Sequence, residues 1–170
     1  YRLFKTFAEN YNIKPVYNPF TNIEEVKSLI NENTKALFIE TPTNPLMQEI
    51  DLVAYAALAE KHNLLLIVDN TFYTPYFQRP LELGAHIVLH SATKYIGGHN
   101  DVLAGLVVAK GAELCEKLAF YHNGIGMVLS PMDSWLLIRG LKTLHLRLKQ
   151  HDANAKKVAE YLANEPLVTD

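Results

Sequence analysis

Asn44, Asp69 and Lys94 recur at intervals of 25 residues, each at or just beyond the end of a short apolar run. That interval matches about one strand–helix unit. In an open α/β sheet, groups at the carboxyl ends of successive strands share one crevice. The spacing therefore gathers an amide, a carboxylate and an amine at one site, with the hydroxyls Ser91 and Thr93 beside the lysine. A buried lysine loses its proton readily and becomes a nucleophile toward carbonyl carbon. A carboxylate favours the protonated form of a nearby ring nitrogen. These groups suit pyridoxal phosphate, with Lys94 forming the Schiff base, Asp69 holding the ring nitrogen, and Ser91 and Thr93 meeting the phosphate. Taken one at a time, they also read as a surface lysine, a turn aspartate and turn hydroxyls.

Periodicity supplies the elements that must position these groups. Leu3, Phe4, Phe7, Ala8 and Tyr11 stand at helical spacing and predict a helix over the first dozen residues. Residues 13–17 predict a short strand. Thr21 with Glu24 fits a capping box opening a helix whose apolar face is Ile23, Val26 and Ile30. Residues 35–40, 64–68, 85–89 and 103–109 are apolar runs of strand length, and Asp51 caps a helix reaching His62. Continuous apolarity predicts strands buried on both faces, so the fold class is α/β, a mostly parallel sheet covered by helices. Beyond Gly111 the pattern is helical, and Cys115 between Leu114 and Leu118 predicts an inert core thiol. Ser130-Pro131-Met132-Asp133 is a strong helix start. One long helix is expected from there to about Asn164, with Gly140 as a kink or close-packing point. Val168-Thr169-Asp170 reads as the beginning of another strand.

Composition removes several classes. A formal net charge of −2 leaves no basic footprint for nucleic acid. A single cysteine excludes an internal disulfide framework and agrees with a reducing compartment. No apolar run approaches the length of a membrane span, and the N-terminus has no signal-peptide design, so a cytoplasmic protein is expected. The seven histidines form no compact ligand pair. His86 and His90 fall on a strand with no third ligand nearby, so no metal is expected. Gly97-Gly98 fits neither the dinucleotide fingerprint nor the P-loop, and no nucleophile elbow occurs.

Four strings make the reading specific: Glu40-Thr-Pro-Thr-Asn-Pro45, Val68-Asp-Asn-Thr-Phe-Tyr-Thr-Pro75, His90-Ser-Ala-Thr-Lys-Tyr-Ile-Gly-Gly-His99 and Ser134-Trp-Leu-Leu-Ile-Arg-Gly-Leu-Lys-Thr143. Together they resemble the Cys/Met-metabolism, or transsulfuration, family of fold-type-I pyridoxal-phosphate enzymes, over essentially the whole chain. The resemblance implies that Lys94 is the catalytic, Schiff-base lysine and that Asp69 pairs with the pyridine nitrogen. It also implies that Ser91 and Thr93 bind phosphate and that Asn44 hydrogen-bonds the ring hydroxyl. His86 departs from the family, which usually has an acid there.

The implied activity is β- or γ-elimination or γ-replacement at carbon–sulfur or carbon–oxygen bonds, as in cystathionine lyases or cystathionine γ-synthase. Methionine γ-lyase and O-acetylhomoserine sulfhydrylase are alternatives. The implied partners are a sulfur amino acid or homoserine ester and further copies of the chain, as a homodimer or homotetramer. Family members are about twice as long or more. Residues 1–170 are thus expected to be the central portion of the cofactor domain, ending in a connector helix at about 131–164. The N-terminal segment, with the phosphate-loop glycine and stacking tyrosine, would lie outside it, as would the C-terminal small domain with the carboxylate-binding arginine. A catalytically incomplete fragment is the competing reading from another class.

Overall fold

The computed structural model describes residues 2–168. The elements are α1 (Arg2–Tyr11), α2 (Ile23–Leu29), β1 (Ala36–Glu40), α3 (Leu52–Lys61), β2 (Leu65–Asp69), α4 (Thr74–Phe77), β3 (Ile87–Ser91), β4 (Gly105–Ala109), α5 (Ala112–Ile125), α6 (Pro131–Leu141) and α7 (Leu144–Ala163). The strands form one sheet in the order β1-β2-β3-β4. The first three are parallel, and β4 returns antiparallel along β3. Thr169 and Asp170, in the strand start expected at the C-terminus, lie outside the described residues.

Alternation of side chains decides how the sheet is covered. Leu37 and Ile39 of β1, Leu66 and Val68 of β2, and Val88 of β3 point to one face. There they pack with Val26 of α2 and Tyr55, Leu58 and Ala59 of α3. Fully burying each large apolar side chain contributes about 1.5–3 kcal/mol. The other face is not sealed: β1 alternates exposed and buried residues, and β2 half-buried and buried ones. The expected burial on both faces is therefore corrected for β1 and β2 to full burial on one, while Ile87 of β3 is buried on the other. On the open side Phe38 meets only the edge of Phe4 from α1, ring centroids 5.3 Å apart, among the aromatic contacts of the described residues. Glu40, Asp69 and Ser91 follow the parity of this half-open face, where polar groups stay accessible.

Four local expectations change. Residues 13–17 are irregular, not a strand; Pro15 has no N–H for a ladder, and Ile13 and Val16 are exposed. The α2 cap is Asn22, not Thr21: its side chain accepts from Glu24 N at 3.0 Å and donates to Glu25 Oε1 at 3.2 Å. Cys115 is exposed and α5 has no buried residue, so the thiol is not in a core. The long helix at 131–164 is two helices. The Gly140 carbonyl accepts from Thr143 N, Thr143 Oγ1 and Arg147 Nη2, and these bonds end α6. The start of α6 is as expected, with Ser130 Oγ accepting from Asp133 N at 3.0 Å.

Gly140 is a close-packing point. A Cβ there would lie 2.4 Å from the Gly97 carbonyl oxygen and 2.6 Å from that of Ile96. Alanine would gain about 1 kcal/mol in helix propensity. Overpacking typically costs about 1–3 kcal/mol, and backbone neighbours cannot swing aside as a side chain would. Gly140→Ala should therefore destabilise the protein by up to about 2 kcal/mol net, read as a lower denaturant midpoint at unchanged slope. An unchanged midpoint would show that the two segments separate freely.

Candidate active site

Strand register builds the site. Glu40 lies opposite Asp69, and Asp69 opposite Leu89, so the carboxyl ends of β1, β2 and β3 stand abreast. Asp69 ends β2, and its Oδ1 accepts from Thr71 N at 3.0 Å and from Thr71 Oγ1 at 2.6 Å. The same Thr71 hydroxyl accepts from Ser91 N at 2.8 Å. Asp69 and Ser91 are thereby joined across two strand ends through one side chain. Ser91 Oγ and Asp69 Oδ2 make no hydrogen bond among the described residues.

Lys94 follows in a compact turn. Its N–H donates to Ser91 O at 3.1 Å, Gly97 N to Ala92 O at 2.8 Å and Gly98 N to Lys94 O at 2.8 Å. Ala92 (0% exposed) and Ile96 (3%) pack beneath with Val102 and Leu137. The turn thus buries its apolar residues and turns Lys94 outward; the Lys94 amine is exposed and forms no ion pair among the described residues. Lys94 and Thr93 line a cleft of about 700 Å³ with Phe72, Asp101, Arg147 and His151. Asn44, Asp69 and Ser91 are not among its walls. Thr93 Oγ1 donates to Ala104 O at 3.2 Å and accepts from Ala104 N at 2.9 Å. To donate to a phosphate, this hydroxyl would have to release the Ala104 carbonyl.

Arg147 of α7 clamps the turn from outside. Its Nη1 donates to Tyr95 O at 2.7 Å and its Nη2 to Ile96 O at 3.4 Å, while its Nε reaches Thr143 Oγ1 at 3.1 Å. Burial pushes its pKa below the usual guanidinium range. Gly98 (φ +76°) admits this contact, since a Cβ there would fall 2.3 Å from Nη1.

Asn44 is exposed in the loop after β1. Burial first, and the Asp69 charge second, push the Glu40 pKa up, offset in part by the Asn44 backbone. Two carboxylates on neighbouring strand ends make a negative field that favours a cation. Behind the sheet His90 is 7% exposed, and its Nδ1 has no partner among the described residues. Burial lowers its pKa against the opposing pull of Asp69 and the Asn70 backbone. His86 Nδ1 accepts from Leu66 N at 2.9 Å, a role open to a carboxylate at the same position. Tyr73 donates to Glu49, which pushes the phenol up to about 12. No group of three or more potential metal ligands occurs among the described residues.

Thr71 and Arg147 are site-building residues that the sequence reading did not single out. Thr71 carries a weak signal, since aspartate followed two residues later by threonine suits an Asx-type turn. Arg147 carries none, because its carbonyl acceptor on Tyr95 is 52 residues away. A free amine over a cleft, a hydroxyl without partner and a carboxylate with one unoccupied oxygen together suit a phosphorylated, carbonyl-bearing cofactor with a cationic ring. No described helix is long and apolar enough to cross a membrane.

Comparison with known proteins identifies the family. A family profile described as Cys/Met metabolism PLP-dependent enzyme matches residues 1–170. Cystathionine gamma-synthase of Haemophilus influenzae is 58% identical over 99% of this chain and 46% of its own length. Cystathionine gamma-lyase of Bacillus subtilis is 54% identical over 99% of this chain and 44% of its own. The crystal structure of cystathionine gamma-lyase from Lactobacillus plantarum, complexed with L-serine, superposes with a TM-score of 0.97 at 47% identity, covering 99% of this chain and 44% of that one. The chain thus spans a little under half the length of the curated relatives it matches. With a match from end to end, the chain belongs to the Cys/Met-metabolism PLP-dependent enzymes.

Proposed function

We propose that these residues form the cofactor centre of an enzyme of sulfur amino-acid metabolism. It would catalyse β- or γ-elimination or γ-replacement at carbon–sulfur or carbon–oxygen bonds, as a cystathionine lyase or cystathionine γ-synthase. The observation that carries the reading is the Asp69–Thr71–Ser91 chain of hydrogen bonds, which ties a strand-end carboxylate to the turn presenting the free Lys94 amine. Bound pyridoxal phosphate supplies an electron sink for amino-acid chemistry. Lys94 would hold the cofactor covalently, and its amine would carry protons between substrate carbons. Asp69 keeps the proton on the ring nitrogen, with the Glu40 charge beside it adding to the field. Ser91 and Thr93 hold the phosphate, and Asn44 meets the ring hydroxyl. High identity to both a synthase and a lyase supports assigning these residues to steps that replacement and elimination share.

The substrate is a sulfur amino acid or homoserine ester, and the working form is a cytoplasmic homodimer or homotetramer. Exposed aromatics beside the site support the assembly: Tyr76 and Phe77 meet edge-on, centroids 4.8 Å apart, next to the turn after β2. In the full-length protein, borohydride reduction and peptide mapping should find a pyridoxyl group on Lys94. Label on another lysine in the active enzyme would remove the assignment. Product analysis with cystathionine, methionine, and O-acetyl- or O-succinylhomoserine plus cysteine then identifies the reaction, and absence of turnover with all of them would reject this substrate class.

A further inference from the structure

We infer that Thr71 is a positioning residue that locks the Asp69 carboxylate in one orientation and couples it to the turn carrying Lys94. This rests on the proposed pairing of Asp69 with the cofactor ring nitrogen. A threonine hydroxyl has one proton and two lone pairs. Here the proton goes to Asp69 Oδ1, and a lone pair takes the Ser91 N–H. The Thr71 backbone N–H lands on the same Oδ1. One carboxylate oxygen is therefore doubly occupied, while Oδ2 has no partner among the described residues. A carboxylate pinned by one oxygen cannot spin, so the other stays presented for a ligand.

The 2.6 Å O–H···O⁻ separation is that of a charge-assisted bond, stronger than a neutral one. Donation by Ser91 N–H into the hydroxyl polarises its proton further toward Asp69. The β-branch restricts χ1, so threonine holds this geometry at a lower entropic cost than serine. Ser91 leads directly into Lys94, whose own N–H returns to Ser91 O. The two halves of the proposed cofactor grip thus share one hinge point.

The test compares Thr71→Val, Thr71→Ser and Asp69→Asn in the full-length protein by three measurements. These are affinity of the apo form for pyridoxal phosphate, the ¹⁵N shift of ring-labelled cofactor, which reports the ring proton, and apo thermal stability. Thr71→Val should weaken cofactor binding by about ten- to hundredfold and move the ring signal toward the unprotonated position. Thr71→Ser should stay within about threefold of wild type with the ring signal unmoved. If Thr71→Val lowers only thermal stability, Thr71 merely braces the turn and the inference fails. If Asp69→Asn moves the ring signal while Thr71→Val does not, Thr71 alone is overturned. If Asp69→Asn moves neither affinity nor signal, the Asp69 assignment falls, and the Thr71 inference with it. Should Thr71→Val fail to fold, Thr71→Ala takes its place in every comparison.

Discussion

Lys94→Ala is expected to leave a folded protein with almost no turnover. The side chain is exposed and forms no ion pair among the described residues. Its removal should change stability by no more than about 0.5 kcal/mol, as at other uninvolved surface positions. The turn itself rests on backbone bonds and on Ala92 and Ile96 packed beneath it, none of which the substitution touches. Activity should respond very differently. A positioned proton-transfer group alone contributes about 10²–10⁴-fold, and Lys94 is proposed to supply the covalent anchor as well. A loss of about 10⁴-fold, or roughly 5 kcal/mol of transition-state stabilisation, is therefore expected. Lys94→Arg should fare no better, because a guanidinium remains protonated and cannot act as a nucleophile. Turnover of cystathionine, or of O-acetylhomoserine with cysteine, measured beside thermal unfolding separates the two effects. Near-wild-type activity in Lys94→Ala would return this residue to an ordinary surface lysine.

The parts of this site that depend on chain-local signals were legible in the sequence. Asp69 and Ser91 could be placed because each ends an apolar run, and a polar residue after such a run marks a strand end. Asp51 capping α3 and Ser130 capping α6 follow from hydroxyl or carboxylate chemistry just before a helical pattern. At α2 two capping residues stand side by side, and the sequence favours Thr21 through Glu24. Asn22 prevails because its oxygen reaches Glu24 N while its amide reaches Glu25. Apolar content misleads where burial depends on distant partners. Leu114, Cys115 and Leu118 suggest a core face, yet Leu114 and Leu118 are only half-buried and Cys115 is exposed. The break between α6 and α7 depends on Arg147 reaching Gly140 O and the carbonyls of Tyr95 and Ile96. No helical periodicity encodes a bond to a turn 51 or 52 residues earlier.

Asp69→Asn separates charge from shape at the other end of the site. An asparagine Oδ1 can accept from Thr71 N and Thr71 Oγ1 just as the carboxylate does. The turn, and through Thr71 its link to Ser91, should therefore persist, and stability should change little. The group presented outward changes completely, from an anionic acceptor to an amide donor, which cannot hold a proton on a ring nitrogen. Covalent attachment at Lys94 should survive while loss of the substrate Cα proton slows by about a hundredfold, or about 3 kcal/mol. Glu40 offers an independent readout. The Asp69 charge is one cause of its raised pKa, so Asp69→Asn should move the Glu40 titration downward while burial keeps it above the ordinary carboxylate range. If Asp69 served only to close a turn, asparagine would serve equally well. Turnover would then be unchanged even though Glu40 titrated lower, and that combination would reject the electronic role of Asp69.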